Sequence, residues 1–205
     1  MIAGDVVPYD PNWPVMFEEE ALRLRRALGQ LAVRIDHHGS TAVPGLSAKP
    51  VIDIQVGVAN LQPLEAYGRP LEMLGYIHVV HPDDAFCPFF HRPAGWPHTH
   101  HVHVVQAGGN EERRTLAFRD YLRHHADMAR ISTALATFHE QITQLDELLS
   151  HSPDDLEIAE LKEAVEAEME QFKKQALDLR KRKLLNEVDS VYEDNSMVSF
   201  IIHRC

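Results

Sequence analysis

A chain of 205 residues, 44% hydrophobic and 25% charged, is long enough to bury a real core, and one main domain plus an appendage is the simplest count. No run approaches about 18 apolar residues, and the opening MIAGDVVPYD lacks the basic-then-apolar order of a secretory signal, so a cytoplasmic protein without membrane contact is expected. The net charge of −11 excludes broad nucleic-acid binding, which needs clustered Lys and Arg; the wide separation of Cys87 and Cys205 argues against a disulfide framework or a CxxC metal clip.

Neither charge nor turn residues are spread evenly. Residues 1–139 hold 12 Lys plus Arg against 15 Asp plus Glu, a net −3, whereas residues 140–205 hold 8 against 16, a net −8. A small polyanion such as a nucleoside triphosphate is therefore compatible with the first part, above all with a metal ion present. All 10 glycines lie at or before Gly109 and 11 of the 12 prolines at or before Pro97, so a region punctuated by turns gives way to a helical one. The spacing places the boundary near residues 128–140.

In chain order, Trp13 to Leu31 predicts a helix with Phe17, Ala21, Leu24 and Leu28 on one stripe and Pro14 in its first turn, where a missing N–H costs little. Leu31 to Ile35 predicts a strand, and Val51 to Val58 a second one beyond the segment HHGSTAVPGLSAKP. Leu61 to Leu74 predicts a helix, followed by short β runs at Tyr76–Val80, Phe86–His91 and His101–Gln106. A helix from Glu111 to about His125 has Leu116, Phe118 and Leu122 to bury.

A helical hairpin should follow over 131–187. Phe138, Ile142, Leu145 and Leu149 stripe its first helix, and Ile158, Leu161, Val165, Met169, Phe172, Ala176 and Leu179 its second. Ser152 reads as the N-cap between them, Pro153 as the first helical position, and the run Arg180 to Lys183 sits near the far end. The heptad spacing also suits a coiled coil, but the second seam is polar at Glu168 and Gln175, which favours a globular hairpin. This acidic hairpin offers a surface for homo-oligomerisation, and residues 188–205 lack periodicity and read as an irregular tail.

Chemistry concentrates in HHGSTAVPGLSAKPVIDIQV, residues 37–56. A strand that ends at Gly39-Ser40 exposes backbone N–H groups and a hydroxyl to a phosphate, with Ser40 alternatively the cap of a helix that follows the turn. Asp53 then interrupts an apolar strand, where a carboxylate suits a hard divalent cation such as Mg²⁺. On the later strand His101 and His103 share a face and can both turn toward Asp53, a donor set better suited to Mn²⁺ or Zn²⁺. Lys49 either anchors the turn before Pro50 or neutralises phosphate. Arg119 and Arg123 lie one helical turn apart and either meet an anion together or form surface ion pairs, with Asp120 on another face. His37 either joins the site or is a satisfied buried histidine. Asp83 and Asp84 read as a turn, and His98 and His100 as a solvated loop.

GSTAVPGLSAKPVIDI, together with YDPNWPVMFEEE, HHVHVV and LAFRDYLR in that order, resembles the GrpB family over roughly residues 8 to 130, within the nucleotidyltransferase superfamily. The resemblance implies an α/β nucleotidyltransferase-like mixed sheet with flanking helices over 1–130. It also implies a metal-dependent nucleotidyl or phosphoryl transferase, in which Gly39 and Ser40 hold a triphosphate and Asp53 binds the metal. The chain departs from the superfamily pattern at Gln55, where an active transferase carries its second carboxylate. Two other readings follow: a non-catalytic nucleotide-binding module linked to coenzyme A metabolism, as fused relatives suggest, or an oligomerising interaction protein with a vestigial pocket.

Overall fold

The computed structural model describes residues 6–186. The irregular tail expected over 188–205, with Cys205, and the side chains of Leu179 and of Arg180 to Lys183 lie outside the described part. Five strands, β1 (Ala32–His38), β2 (Ile52–Val58), β3 (Ile77–Val79), β4 (Phe89–Arg92) and β5 (His100–Gln106), form one mixed sheet in the order β1-β2-β5-β4-β3. β2 runs antiparallel to β1 and parallel to β5, while β4 is antiparallel to both β5 and β3.

The central strand is written for two different faces. Ile52, Ile54, Val56 and Val58 alternate along β2 and are 0–2% exposed. With Val102 and Val104 of β5 they meet Trp13, Phe17, Leu24 and Leu28 of α1 (Trp13–Leu28) and Tyr67 and Leu71 of α2 (Glu65–Met73). Each such side chain contributes roughly 1.5–3 kcal/mol of burial, so this face carries the core. The intervening residues Asp53, Gln55 and Gly57 point to the other face, beside His101 and His103 of β5 in register. Helix α3 (Asn110–His124) lies over that second face: Thr115 reaches Gln55, and Glu112 sits over Gly57, where a Cβ would stand 2.6 Å from the Glu112 carboxylate.

Boundaries shift where local geometry overrides periodicity. The first helix stops at Leu28 because Gly29, at φ +54°, turns the chain and returns its N–H to Arg25; residues 29–31 form a 3-10 turn instead. Pro82–Ala85 is another 3-10 turn, closed by His81 and Asp84, which delays β4 to Phe89. The described residues divide into two compact units with the break between Ala126 and Asp127. The second is the hairpin of α4 (Ala126–His151) and α5 (Leu156–Asn186), in which Phe138 packs on Phe172 and Lys162 bonds Asp146 at 2.6 Å. Two sequence expectations fail here. Asp155, not Ser152, caps α5, taking the N–H groups of Glu157 and Ile158, so Pro153 lies in the turn; and Leu161 is exposed, lying outside the buried stripe. Among the described residues no helix is long and apolar enough to cross a membrane.

Candidate functional site

Strand register assembles the site. Asp53 of β2 lies opposite His38 on one side and His101 on the other, and His103 follows on the same face. The His101 Nδ1 stands 3.2 Å from the Asp53 Oδ1. One donor atom each from Asp53, His101 and His103 falls within 4.8 Å of the others, the only such group of three among the described residues. All three side chains are half-buried, open enough to admit an ion and sheltered enough to strengthen its field.

Burial by itself opposes the Asp53 charge; the hydrogen bond from His101 and the fields of His38, His101 and His103 outweigh it and hold the carboxyl below its ordinary pKa. An ionised carboxylate only accepts, so His101 donates from Nδ1, while its Nε2 faces the His98 Nδ1 at 3.1 Å. A metal taking His101 displaces one of these two bonds. Phe89 packs against both His101 and His103, at 5.0 and 4.9 Å between ring centroids, and the Cys87 thiol lies 3.8 Å from His103 Nδ1. These neighbours fix the rings from below.

Gly39 has a specific geometric reason. Its φ of +70° is left-handed, and a Cβ there would lie 2.4 Å from the Asp53 Oδ2. The turn thus presses bare backbone onto the carboxylate. Ser40 opens a 3-10 turn, Ser40–Ala42, so the N-cap position of that turn falls on Gly39 and not on Ser40. The donor set of one carboxylate and two imidazoles fits a borderline divalent ion such as Zn²⁺ or Mn²⁺ better than Mg²⁺, which prefers oxygen.

The GrpB protein family pattern matches residues 4–144. The chain belongs to the GrpB family. Within it, the chain is similar to a UPF0157 protein of Halalkalibacterium halodurans, 42% identical over 120 residues, which is 58% of this chain and 60% of the relative. It is also similar to the crystal structure of GrpB from Enterococcus faecalis, with 30% identity, a TM-score of 0.59, and coverage of 83% of this chain and 99% of that one. A shorter segment of 79 residues, 37% of this chain, is 43% identical to 19% of a dephospho-CoA kinase of Mycolicibacterium paratuberculosis. The chain spans little more than half the length of the first curated relatives it matches.

In this GrpB chain the structure gathers Gly39, Asp53, His101 and His103, with Ser40 next to Gly39 in the same turn, and gives the other candidates partners of their own. Gln55 shares their face but is buried at 1% exposure and joined to Thr115 of α3. His37 points to the opposite face, stacked on Phe17, with Nε2 on the Thr41 hydroxyl at 3.1 Å. Arg119 donates to the carbonyl of His37 and Arg123 to that of Ala42, both at 2.9 Å, so the two guanidinium groups clamp the backbone on either side of the Gly39 turn. Asp120 is not on a separate face: it accepts from Arg119 at 2.8 Å and Arg123 at 3.5 Å. Lys49 is half-buried at the turn before Pro50. His100 is not a loop histidine but a buried strand residue 3.1 Å from Arg92, whereas His98 does lie in the loop before β5, half-buried, stacking on His91 and reaching His101. His38 carries no motif of its own in the sequence; it alternates with Asp36 and pairs with Asp53 because β1 runs on to His38 instead of ending at Ile35.

Proposed function

We propose that this GrpB protein is a divalent-metal-dependent nucleotidyl- or phosphoryl-transferase-like protein, with Asp53, His101 and His103 as metal ligands and the Gly39-Ser40 turn as the phosphate cradle. The observation that carries the reading is the convergence of the three donors within 4.8 Å, directly under a turn whose missing Cβ keeps the backbone against Asp53. The bound ion would stabilise negative charge on the phosphoryl oxygens. The chain's own part is to fix three ligands from adjacent strands, to hold Asp53 ionised through the His101 hydrogen bond, and to lock the Gly39 turn through Arg119 and Arg123.

A second reading, nucleotide binding without turnover, is favoured by Gln55. The position two residues beyond Asp53 faces α3 as a buried neutral amide, so a second carboxylate is not supplied from β2. The partial match to a dephospho-CoA kinase is compatible with such a module serving coenzyme A chemistry. Calorimetry with ATP, GTP, CTP and UTP in the presence of Zn²⁺, Mn²⁺ or Mg²⁺ tests both readings. Metal-dependent binding lost in Asp53→Ala is the expected outcome, and release of pyrophosphate or phosphate separates transfer from binding. No binding under any metal would remove both.

A further inference from the structure

A cavity lies at the free edge of β1, on the other side of that strand from Asp53. It has a volume of about 260 Å³, the size of a small molecule, with Tyr9, Phe17 and Ile35 among its apolar walls and His37, Arg119 and Arg123 among its polar ones. From this cavity we infer a binding site for a small planar organic carboxylate, separate from the metal and phosphate site.

The charges support an anion. Arg119 uses Nε on Asp120 and Nη1 on the His37 carbonyl; Arg123 uses Nε on the Ala42 carbonyl and Nη1 on Asp120. Each guanidinium therefore keeps an Nη2 that none of these bonds engages, and two cations share one carboxylate. The acids on the cavity wall do not cancel this: Asp36 is already held by both Nε and Nη2 of Arg34, at 2.6 and 2.7 Å, and Glu18 is exposed at the rim. Burial, and then the neighbouring Arg119, lower the pKa of Arg123, the condition that an incoming anion relieves.

The polar inventory also supports an organic ligand bearing a donor. Thr41 gives its hydroxyl proton to the Val51 carbonyl at 3.1 Å, so it accepts from His37 Nε2, and the His37 Nδ1 is left with a lone pair. His37 is 7% exposed, and burial pushes its pKa down to about 4, so that lone pair persists at neutral pH. The stacked pair of Phe17 and His37, parallel within 6°, offers a flat wall to a flat ligand. A hydroxylated aromatic carboxylate meets all three features: two Nη2 donors, one ring acceptor and an apolar slot.

NMR titration of the full chain with 4-hydroxybenzoate, benzoate and inorganic phosphate tests the inference. Saturable amide shifts at Tyr9, Phe17, Ile35–His37 and Arg119–Arg123 are expected with both aromatics, with 4-hydroxybenzoate tighter, and with phosphate at least tenfold weaker. Arg123→Gln keeps a donor for the Ala42 carbonyl and should lower affinity at least tenfold, with a Tm within a few degrees of the parent showing that the fold is kept. Asp53→Asn should leave it unchanged, which separates this site from the metal site whatever becomes of the nucleotide reading. Absence of shifts, equal affinity for phosphate, shifts centred on Asp53 and His101, or affinity unaffected by Arg123→Gln would each overturn the assignment.

Discussion

A histidine kept neutral by burial makes folding resist protonation, and this molecule has several. His37 and His100 are buried and brought down to about 4, and His38, whose Nε2 is sealed without a partner, to about 3; burial is the largest cause in each. Unfolded, each returns to an ordinary value near 6.5. Between these limits the unfolded chain binds protons that the folded chain refuses, so stability is full above about pH 6.5 and falls as the pH drops toward 4. Each group contributes a slope of about 1.4 kcal/mol per pH unit. Urea unfolding at pH 7.5, 6.0 and 5.0 should show this loss, and His37→Leu should reduce the slope by about one proton. A midpoint unchanged from pH 7.5 to 5.0 would show that these rings protonate in place. At this scale the sequence was partly legible. His101 and His103 follow from simple alternation, but whether His37 or His38 faces Asp53 depends on where β1 ends, and a one-residue error reverses the answer.

Helix α1 and the sheet are joined by a buried polar contact as well as by apolar packing. Glu20, 3% exposed, accepts from Arg23 at 2.8 Å, Arg92 of β4 at 2.9 Å and the Tyr76 hydroxyl at 3.0 Å. Arg92 also lies over the Tyr76 ring and 3.1 Å from His100. Removing the carboxylate leaves Arg92, itself largely covered, without its counter-charge. Glu20→Ala should therefore cost about 3–5 kcal/mol by chemical denaturation, and Glu20→Gln, which keeps an acceptor, clearly less. Equal costs for the two variants would mean that the lost charge accounts for the whole effect and that the retained acceptor contributes nothing. Nothing in the sequence singled out Glu20 from Glu18 and Glu19: the apolar stripe placed the helix, but only the tertiary fold brings Arg92 and Tyr76 beneath that one glutamate. The strands, by contrast, were legible as elements, because β2 alternates apolar residues with Asp53, Gln55 and Gly57 so cleanly that both faces of the sheet can be read from it.

The whole molecule carries −11, and −8 of it falls in residues 140–205. A nucleoside triphosphate approaching the proposed site is also an anion, so the global field repels it and screening should help. Potentials over roughly a Debye length of about 10 Å at 0.1 M salt are damped as ionic strength rises. The association rate of a metal–ATP complex, followed by stopped flow, should then increase severalfold between 20 and 200 mM NaCl, opposite to the decrease seen when a protein steers its anion inward. Arg119, Arg123 and a bound divalent ion act against this near the site, but they are short-ranged and partly matched by Asp120 and Asp53. The sign of the salt dependence therefore tells which field an incoming nucleotide feels. A rate that falls with salt would mean that the local cationic groups dominate, and would place the cradle closer to the two arginines than to the carboxylate of Asp53.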